Sequence, residues 1–327
     1  MKAKPGSLFL EPSTRSAFRR RLLAWFDREK RDLPWRGERD PYRILVSEIM
    51  LQQTRVAVVE ERYRLFLGRF PTVARLARAR EQTVLAAWSG LGYYRRARSL
   101  HAAAKEIARS GKFPRTVTEL RELPGVGPYT AGAVASIAFG EPAPVVDGNV
   151  KRVLSRLLGL TLTDDRCWQA AGELLDQRRP GDFNQALMEL GAMICLPGKP
   201  VCEKCPVAPL CTSRGGQRKR KQSPRRKAVL NYVLARKNGC VLLRQRESSA
   251  TLMPGMWELP PLEAAGAIGN EPLFTLRHSI TTTDYAVRVF AGDCRRQSRD
   301  RWIRLSSAER LPLTGLARKI LRRLAAE

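Results

Sequence analysis

Four cysteines, Cys195, Cys202, Cys205 and Cys211, follow one another at the spacing C-x6-C-x2-C-x5-C. Thiols gathered this closely, in a chain with no secretory signal, read as metal ligands rather than disulfides, because a reducing compartment keeps them as thiols. Four unliganded cysteines are the bland alternative. Zinc and an iron–sulfur cluster suit the set equally well, since both accept a roughly tetrahedral arrangement of sulfur. Four cysteine ligands also leave no open coordination position, which argues against metal-assisted hydrolysis. Cys167, Cys240 and Cys294 are scattered and read as ordinary structural thiols.

The surroundings of this loop point to a polyanion. Lys and Arg number 59 against 31 acids, a net charge of +28, which favours phosphate contacts and counterion release on nucleic acid. A solvated cationic face would give the same balance, so motifs must supply the specificity. The N-terminal stretch MKAKPGSLFLEPSTRS lacks the apolar core of a signal peptide, and no apolar run approaches a membrane span. An intracellular, soluble chain with no membrane partner is expected. Its 327 residues, 43% of them hydrophobic, suffice for two domains with real cores.

Period and punctuation divide the chain. After an extension over residues 1–13, helical spacing runs through 14–194, beginning with Phe18, Leu22, Trp25 and Phe26 behind a cap at Ser13 or Thr14. Further helices are predicted near 41–53, 55–68, 83–88, 95–109, 117–122, 128–139, 148–158, 166–177 and 183–194. The cysteine loop fills 195–211. Residues 212–227 carry eight basic residues and no acid and read as a solvated linker. Over 228–327 the period changes to strands at 229–234, 240–244, 273–280, 284–290 and 302–305, then a helix across 313–325, which describes a smaller α+β domain. The fold class expected is mainly α, with that α+β domain appended.

Three features of the helical part carry chemistry. In LPGVGPYTAGAV, residues 123–134, Gly125 and Gly127 form a tight turn, and Pro128 suits the first position of the following helix. Backbone N–H groups at such a turn favour a phosphate, although an unliganded helical corner would look the same. Glu48 is the only acid from residue 42 to 54, among Ile44, Leu45, Val46, Ile49, Met50 and Leu51. Desolvation there would raise its pKa and keep a proton available, the alternative being a glutamate facing water on an amphipathic helix. Asp147 stands at the start of the helix over 148–158, after the strand-like EPAPVV. It reads as an N-cap, and a carboxylate held by helix N–H groups also suits a cationic partner.

LPGVGPYTAGA followed by VVDGNVKRVLSRL resembles the helix-hairpin-helix and Gly/Pro-Asp signature of the endonuclease III superfamily of DNA glycosylases. That family carries a [4Fe-4S] cluster on four cysteines at this spacing, so the resemblance implies the cluster rather than zinc. DLPWRGERDPYRILVSEIMLQQTRV, residues 32–56, and WSGLGYYRRARSLHAAA, residues 88–104, are similar to its adenine DNA glycosylase branch, the MutY family. The likeness is dense over about 14–212 and looser beyond. It implies a two-lobed helical glycosylase domain, with Glu48 as the acid that protonates adenine and helps position water, Asp147 as the anion beside the sugar, and Asn149 as its polar partner. Bifunctional members use a lysine just after the hairpin. Here that position is Tyr129, whose phenol cannot form an imine, so base release without efficient strand cleavage is expected; the resemblance gives Tyr129 a hydrogen bond inside the active site.

Reaching a paired base requires flipping it out of the duplex. By resemblance, Gln53, Leu51 and Tyr93 wedge into the helix, and Arg31, Trp35 and Arg36 surround the adenine pocket; for Tyr93 the bland alternative is a core aromatic. VLLRQRESSATLMPGMWELP, residues 241–260, resembles the start of a Nudix-like domain that reads 8-oxoguanine, without the acidic box needed for pyrophosphate hydrolysis. The family's Phe-Ser-His loop stands here as Leu276-Arg277-His278, keeping only His278, which also suits a strand end. The expectation is a monomeric enzyme of base excision repair that removes adenine opposite 8-oxoguanine or guanine in double-stranded DNA. The location expected is a bacterial cytoplasm, nucleoid-associated through DNA. An endonuclease III-like glycosylase with lyase activity, and a non-catalytic iron–sulfur DNA-binding protein, are the alternatives.

Overall fold

The computed structural model of the chain describes residues 10–214, 225–268, 271–280, 283–294, 296–308 and 310–324. Of the linker expected over 212–227, residues 215–224 fall outside that set, as do residues 1–9 of the N-terminal extension. The chain divides into two compact units, one of residues 1–78 and 99–220, the other of 79–98 and 221–327. No helix among the described residues is long and apolar enough to cross a membrane.

Helices dominate the first part of the chain: α1 (Pro12–Glu29), α2 (Pro41–Leu51), α3 (Val56–Arg69), α4 (Val73–Ala77), α5 (Glu81–Ala87), α6 (Arg95–Ser110), α7 (Val117–Arg121), α8 (Pro128–Phe139), α9 (Gly148–Leu158), α10 (Asp164–Leu174) and α11 (Pro180–Met193). In the first unit α8 lies against α2, α7 and α11. Its run of small and apolar residues is buried from Thr130 to Ile137, as a helix walled in on several sides requires. Helix α11 also packs on α1 and α9. Phe18, Leu22, Phe26, Leu154, Leu157, Phe183 and Leu187 fill the core those helices share.

Pro128 sits in the first turn of α8, and Gly140 ends that helix in the left-handed conformation, so the structure matches the expected 128–139. Other boundaries differ. Helix α1 starts at Pro12 behind Glu11, which makes no side-chain cap. Ser13 and Thr14 are therefore inside the helix: proline's fixed φ sets the first turn without a hydroxyl cap. Leu10 belongs to the core. Thr163 caps α10 by accepting from the Arg166 N–H, so that helix begins before residue 166. The segment EPAPVV forms no strand.

The second unit is α+β in its C-terminal part. Strands β1 (Arg226–Leu234), β2 (Arg236–Lys237), β3 (Cys240–Gln245), β4 (Trp257–Glu258), β5 (Ala265–Ile268), β6 (Phe274–Ile280), β7 (Thr283–Cys294) and β8 (Asp300–Arg304) precede α12 (Leu305–Ala308) and α13 (Gly315–Leu324). One sheet runs β1-β7-β5 with β6 also on β7; β1 and β7 are parallel, whereas β6 and β7 are antiparallel. The other runs β2-β3-β4 with β8 on β3. Leu243, Trp257, Leu276, Val287, Val289, Ile320 and Leu321 share its core.

Candidate active site and cysteine centre

Helices α2 and α8 bring two of the expected residues into direct contact. The Tyr129 hydroxyl donates to Glu48 Oε2 at 2.7 Å and lies 3.2 Å from Met188 Sδ on α11. Glu48 is 5% exposed, which excludes the water-facing alternative. Burial pushes its carboxyl up to about 6; the Tyr129 hydrogen bond and the Arg36 charge oppose that rise, and the Asp147 charge adds to it. Burial, and then the carboxylates of Glu48 and Asp147, raise the Tyr129 phenol well above its ordinary value. Tyr129 is thus a donor, not a proton acceptor, at neutral pH.

Asp147 caps α9, with Oδ1 accepting from the Val150 N–H at 2.7 Å and Oδ2 from Asn149 Nδ2 at 3.0 Å. Asn149 is held in turn: its Oδ1 accepts from Arg152 Nη2 at 2.7 Å. Gly191 on α11 lets it fit, because a Cβ there would come within 2.6 Å of Asn149 Cβ. Arg152 also donates to the carbonyls of Gly191 and Cys195, both at 2.7 Å. A continuous chain of hydrogen bonds therefore runs from Asp147 to the first cysteine.

Arg31 and Arg36, assigned by resemblance to the pocket surroundings, converge on one carboxylate that the sequence reading passed over. Arg31 grips Glu189 through Nε and Nη2, both at 2.8 Å, while Arg36 Nη2 reaches Glu189 Oε2 at 2.8 Å and its Nη1 reaches Gln185 Oε1 at 2.6 Å. Burial pushes Glu189 up, but the two arginines outweigh it and hold the carboxyl below its ordinary value. Glu189 is the only acid from 183 to 194, the same signal that singled out Glu48. Trp35 is buried edge-on against Tyr63, ring centres 5.5 Å apart.

The remaining DNA-contact candidates divide. Gly125 has φ +74°, and a Cβ would fall 2.3 Å from Ser99 Cβ, so the hairpin requires glycine there. Gly127 has φ −87° and caps α8, a conformation open to other residues. Leu51 ends α2 and is half-buried. Gln53 just beyond it has φ +55°, the kind of backbone strain that clusters at binding sites. Tyr93 belongs to the second unit. It too is left-handed, at φ +46°, and 47% exposed, which excludes a core aromatic; the Arg96 guanidinium stacks on its ring. His278 stands within β6, opposite Tyr285 on β7. The segment Leu276-Arg277-His278 thus lies within the strand expected at 273–280, with Leu276 in the core. Burial, then the charge of Lys319, pull the His278 imidazole below its ordinary value.

The cysteine loop leaves α11 at Cys195 and makes two tight turns, Cys202–Lys204 and Ala208–Leu210. It is tied back to α9 where Thr212 N donates to Leu157 O and Ser213 N to Arg156 O. Cys195, Cys202, Cys205 and Cys211 line one cavity together with Arg156. Among the described residues, no group of three or more Cys, His, Asp or Glu side chains is gathered tightly enough for a single metal ion. Four thiols lining one cavity supply the donor set that either zinc or an iron–sulfur cluster takes.

The site thus joins a buried acid, a helix-capping aspartate and a glycine hairpin on one helical scaffold. Residues 46–174 match the family described as HhH-GPD superfamily base excision DNA repair protein. The structure of a thermostable thymine-DNA glycosylase is 33% identical, with a TM-score of 0.58, and the match covers 62% of this chain and 97% of that one. A trapped endonuclease III–DNA complex, at 23% identity and a TM-score of 0.55, shares the fold. The chain belongs to the HhH-GPD superfamily of base excision DNA repair proteins. Within it, the curated relatives it resembles are adenine DNA glycosylases. The human enzyme is 48% identical over 224 residues, 63% of this chain and 41% of that protein. The Arabidopsis thaliana enzyme is 46% identical over 237 residues, 62% and 38%, and one from Buchnera aphidicola is 37% identical over 207 residues, 61% and 59%. The chain thus spans about two fifths of the length of the human and plant relatives.

Proposed function

We propose that the protein is a monofunctional adenine DNA glycosylase, acting as a monomer on double-stranded DNA to excise adenine mispaired with 8-oxoguanine or guanine. The observation that carries the reading is the Tyr129–Glu48 pair: a buried carboxyl with its pKa near 6, held by a phenol at 2.7 Å, in the field of a second carboxylate, Asp147. Glu48 in its acid form gives a proton to the ring of the flipped adenine, turning a poor leaving group into a neutral one. Asp147 stays fixed by Val150 and Asn149 and supplies negative charge to the sugar as cationic character develops. Glu48, left as the carboxylate, then orients water toward the sugar. The Arg31–Glu189–Arg36 cluster holds a polar wall for the pocket, and Trp35 backs it. Position 129 holds a tyrosine where a lysine would trap the sugar, and the product is an abasic site.

Gln53 and Leu51 fill the stack once the base leaves, the hairpin at Gly125 and Gly127 holds a phosphate, and the exposed Tyr93 of the second unit also contacts the DNA. Cys195, Cys202, Cys205 and Cys211 hold a [4Fe-4S] cluster. When bound, that group serves as a structural clip fixing a loop with too few apolar side chains to fold alone. Residues 228–327 form a Nudix-like domain that reads 8-oxoguanine, with Arg277 and His278 contributing. The setting is DNA in a bacterial cytoplasm.

A panel of duplexes tests the reading, with adenine opposite 8-oxoguanine, guanine, cytosine or thymine and with thymine opposite guanine. Free adenine from the first two, strand breaks only after alkali, and no borohydride-trapped adduct are expected. Release of thymine instead would favour the activity named for the similar thymine-DNA glycosylase, and efficient trapping would favour a lyase.

A further inference from the structure

One buried cation beside the cysteine cavity carries more donors than the protein satisfies. Arg156 on α9 is 2% exposed. Its Nη1 donates to Cys195 Sγ at 3.2 Å and to the Leu196 carbonyl at 2.8 Å. Its Nε and Nη2 are buried with no hydrogen-bond partner. Buried polar groups are nearly always paired, and a charged one left short of acceptors is costly. Arg152, one turn earlier, is engaged through all three nitrogens by Asn149 and three backbone carbonyls. Arg156 differs in two respects: it already touches a ligand sulfur, and it lines the cavity that all four cysteines share.

We propose that Arg156 donates charge-assisted hydrogen bonds to sulfur atoms of the cluster held by those cysteines, satisfying its open N–H groups and favouring the more electron-rich state of the cluster. The inference rests on the cluster reading above. Cluster sulfides and thiolates carry the negative charge, and a guanidinium presents its donors as a planar fork that can serve more than one of them. Hydrogen bonds and positive charge at sulfur stabilise added electron density more than they stabilise its loss, so they raise the reduction potential. The same contact anchors α9, which Asp147 caps at one end, to the loop at its other end.

Full-length wild type, Arg156→Gln and Arg156→Lys are compared with Lys204→Gln, which removes an exposed charge from the same loop. Iron and sulfide content, visible absorption and the midpoint potential in film voltammetry are read. Arg156→Gln is expected to lower the potential by roughly a tenfold change in the oxidised-to-reduced ratio, about 59 mV for one electron. Arg156→Lys, which keeps charge but loses the fork, falls between, and Lys204→Gln stays at the wild-type value. Should Arg156→Gln fail to retain iron, the Arg156→Lys potential decides. Iron-loaded variants at the wild-type potential, or an equal shift in Lys204→Gln, overturn the proposal. A wild-type protein without iron overturns the cluster reading itself.

Discussion

Replacing Glu48 by Gln should make the protein more stable while removing its activity, and the gain should depend on pH. The carboxyl rises from an ordinary 4.5 to about 6 in the folded chain, chiefly through burial. Below pH 4.5 it is protonated in both folded and unfolded chains, and its contribution to stability is fully present. As pH climbs through 6 the folded protein must hold a buried anion, and that contribution is lost. At about 1.4 kcal/mol per pH unit, the loss reaches about 2 kcal/mol at pH 8 and roughly 0.8 kcal/mol at pH 5. Glutamine carries no charge, and its carbonyl can still accept from Tyr129. Urea denaturation of wild type and Glu48→Gln, followed through the transition of the helical unit at pH 5 and pH 8, gives both differences. A variant no more stable than wild type at pH 8, or one whose advantage is the same at both pH values, refutes the argument that a desolvated carboxyl is kept here at a cost in stability.

Three further substitutions test separate parts of the site. Tyr129→Phe removes a donor that favours the charged form of Glu48, so the falling limb of the pH–rate profile should move above pH 6 while base release slows about tenfold; an unmoved limb counts against the hydrogen bond. Asp147→Asn keeps the helix cap and Asp147→Ala loses it, so alanine alone should cost about 1 kcal/mol in urea melts, whereas both should be inactive if the negative charge is what matters. Glu189→Gln leaves Arg36, whose side chain is 11% exposed, without its counter-charge; a loss of about 3 kcal/mol is expected, and a wild-type melt would show the cluster to be idle.

How far the sequence was legible follows from where each signal resides. Helices α8 and α9 end where expected because local chemistry sets both ends: Pro128 and Gly140 for one, Asp147 and a left-handed Gly159 for the other. Short elements such as α4, β2 and β4 escaped because two to five residues hold no full period. Glu48 was readable as a lone acid in an apolar run. Glu189 gave the same signal, yet its meaning depends on Arg31 and Arg36, about 150 positions away in the chain, and no local pattern shows such a pairing. Arg156 looked like one more basic residue in a chain with 59 of them; only burial against Cys195 sets it apart. The strand expected at 273–280 is β6: the alternation of side chains along it was legible, whereas likeness to a loop motif said nothing of how Leu276-Arg277-His278 would pair.

The central claim is that a protonated Glu48 and an ionised Asp147 act together on an everted adenine. Its most direct test is the single-turnover rate of adenine release from a duplex with adenine opposite 8-oxoguanine, measured at neutral pH for wild type, Glu48→Gln and Asp147→Asn, with binding of the same duplex measured in parallel. The account predicts release by wild type alone, with binding retained in all three. Wild-type rates in either variant would contradict it.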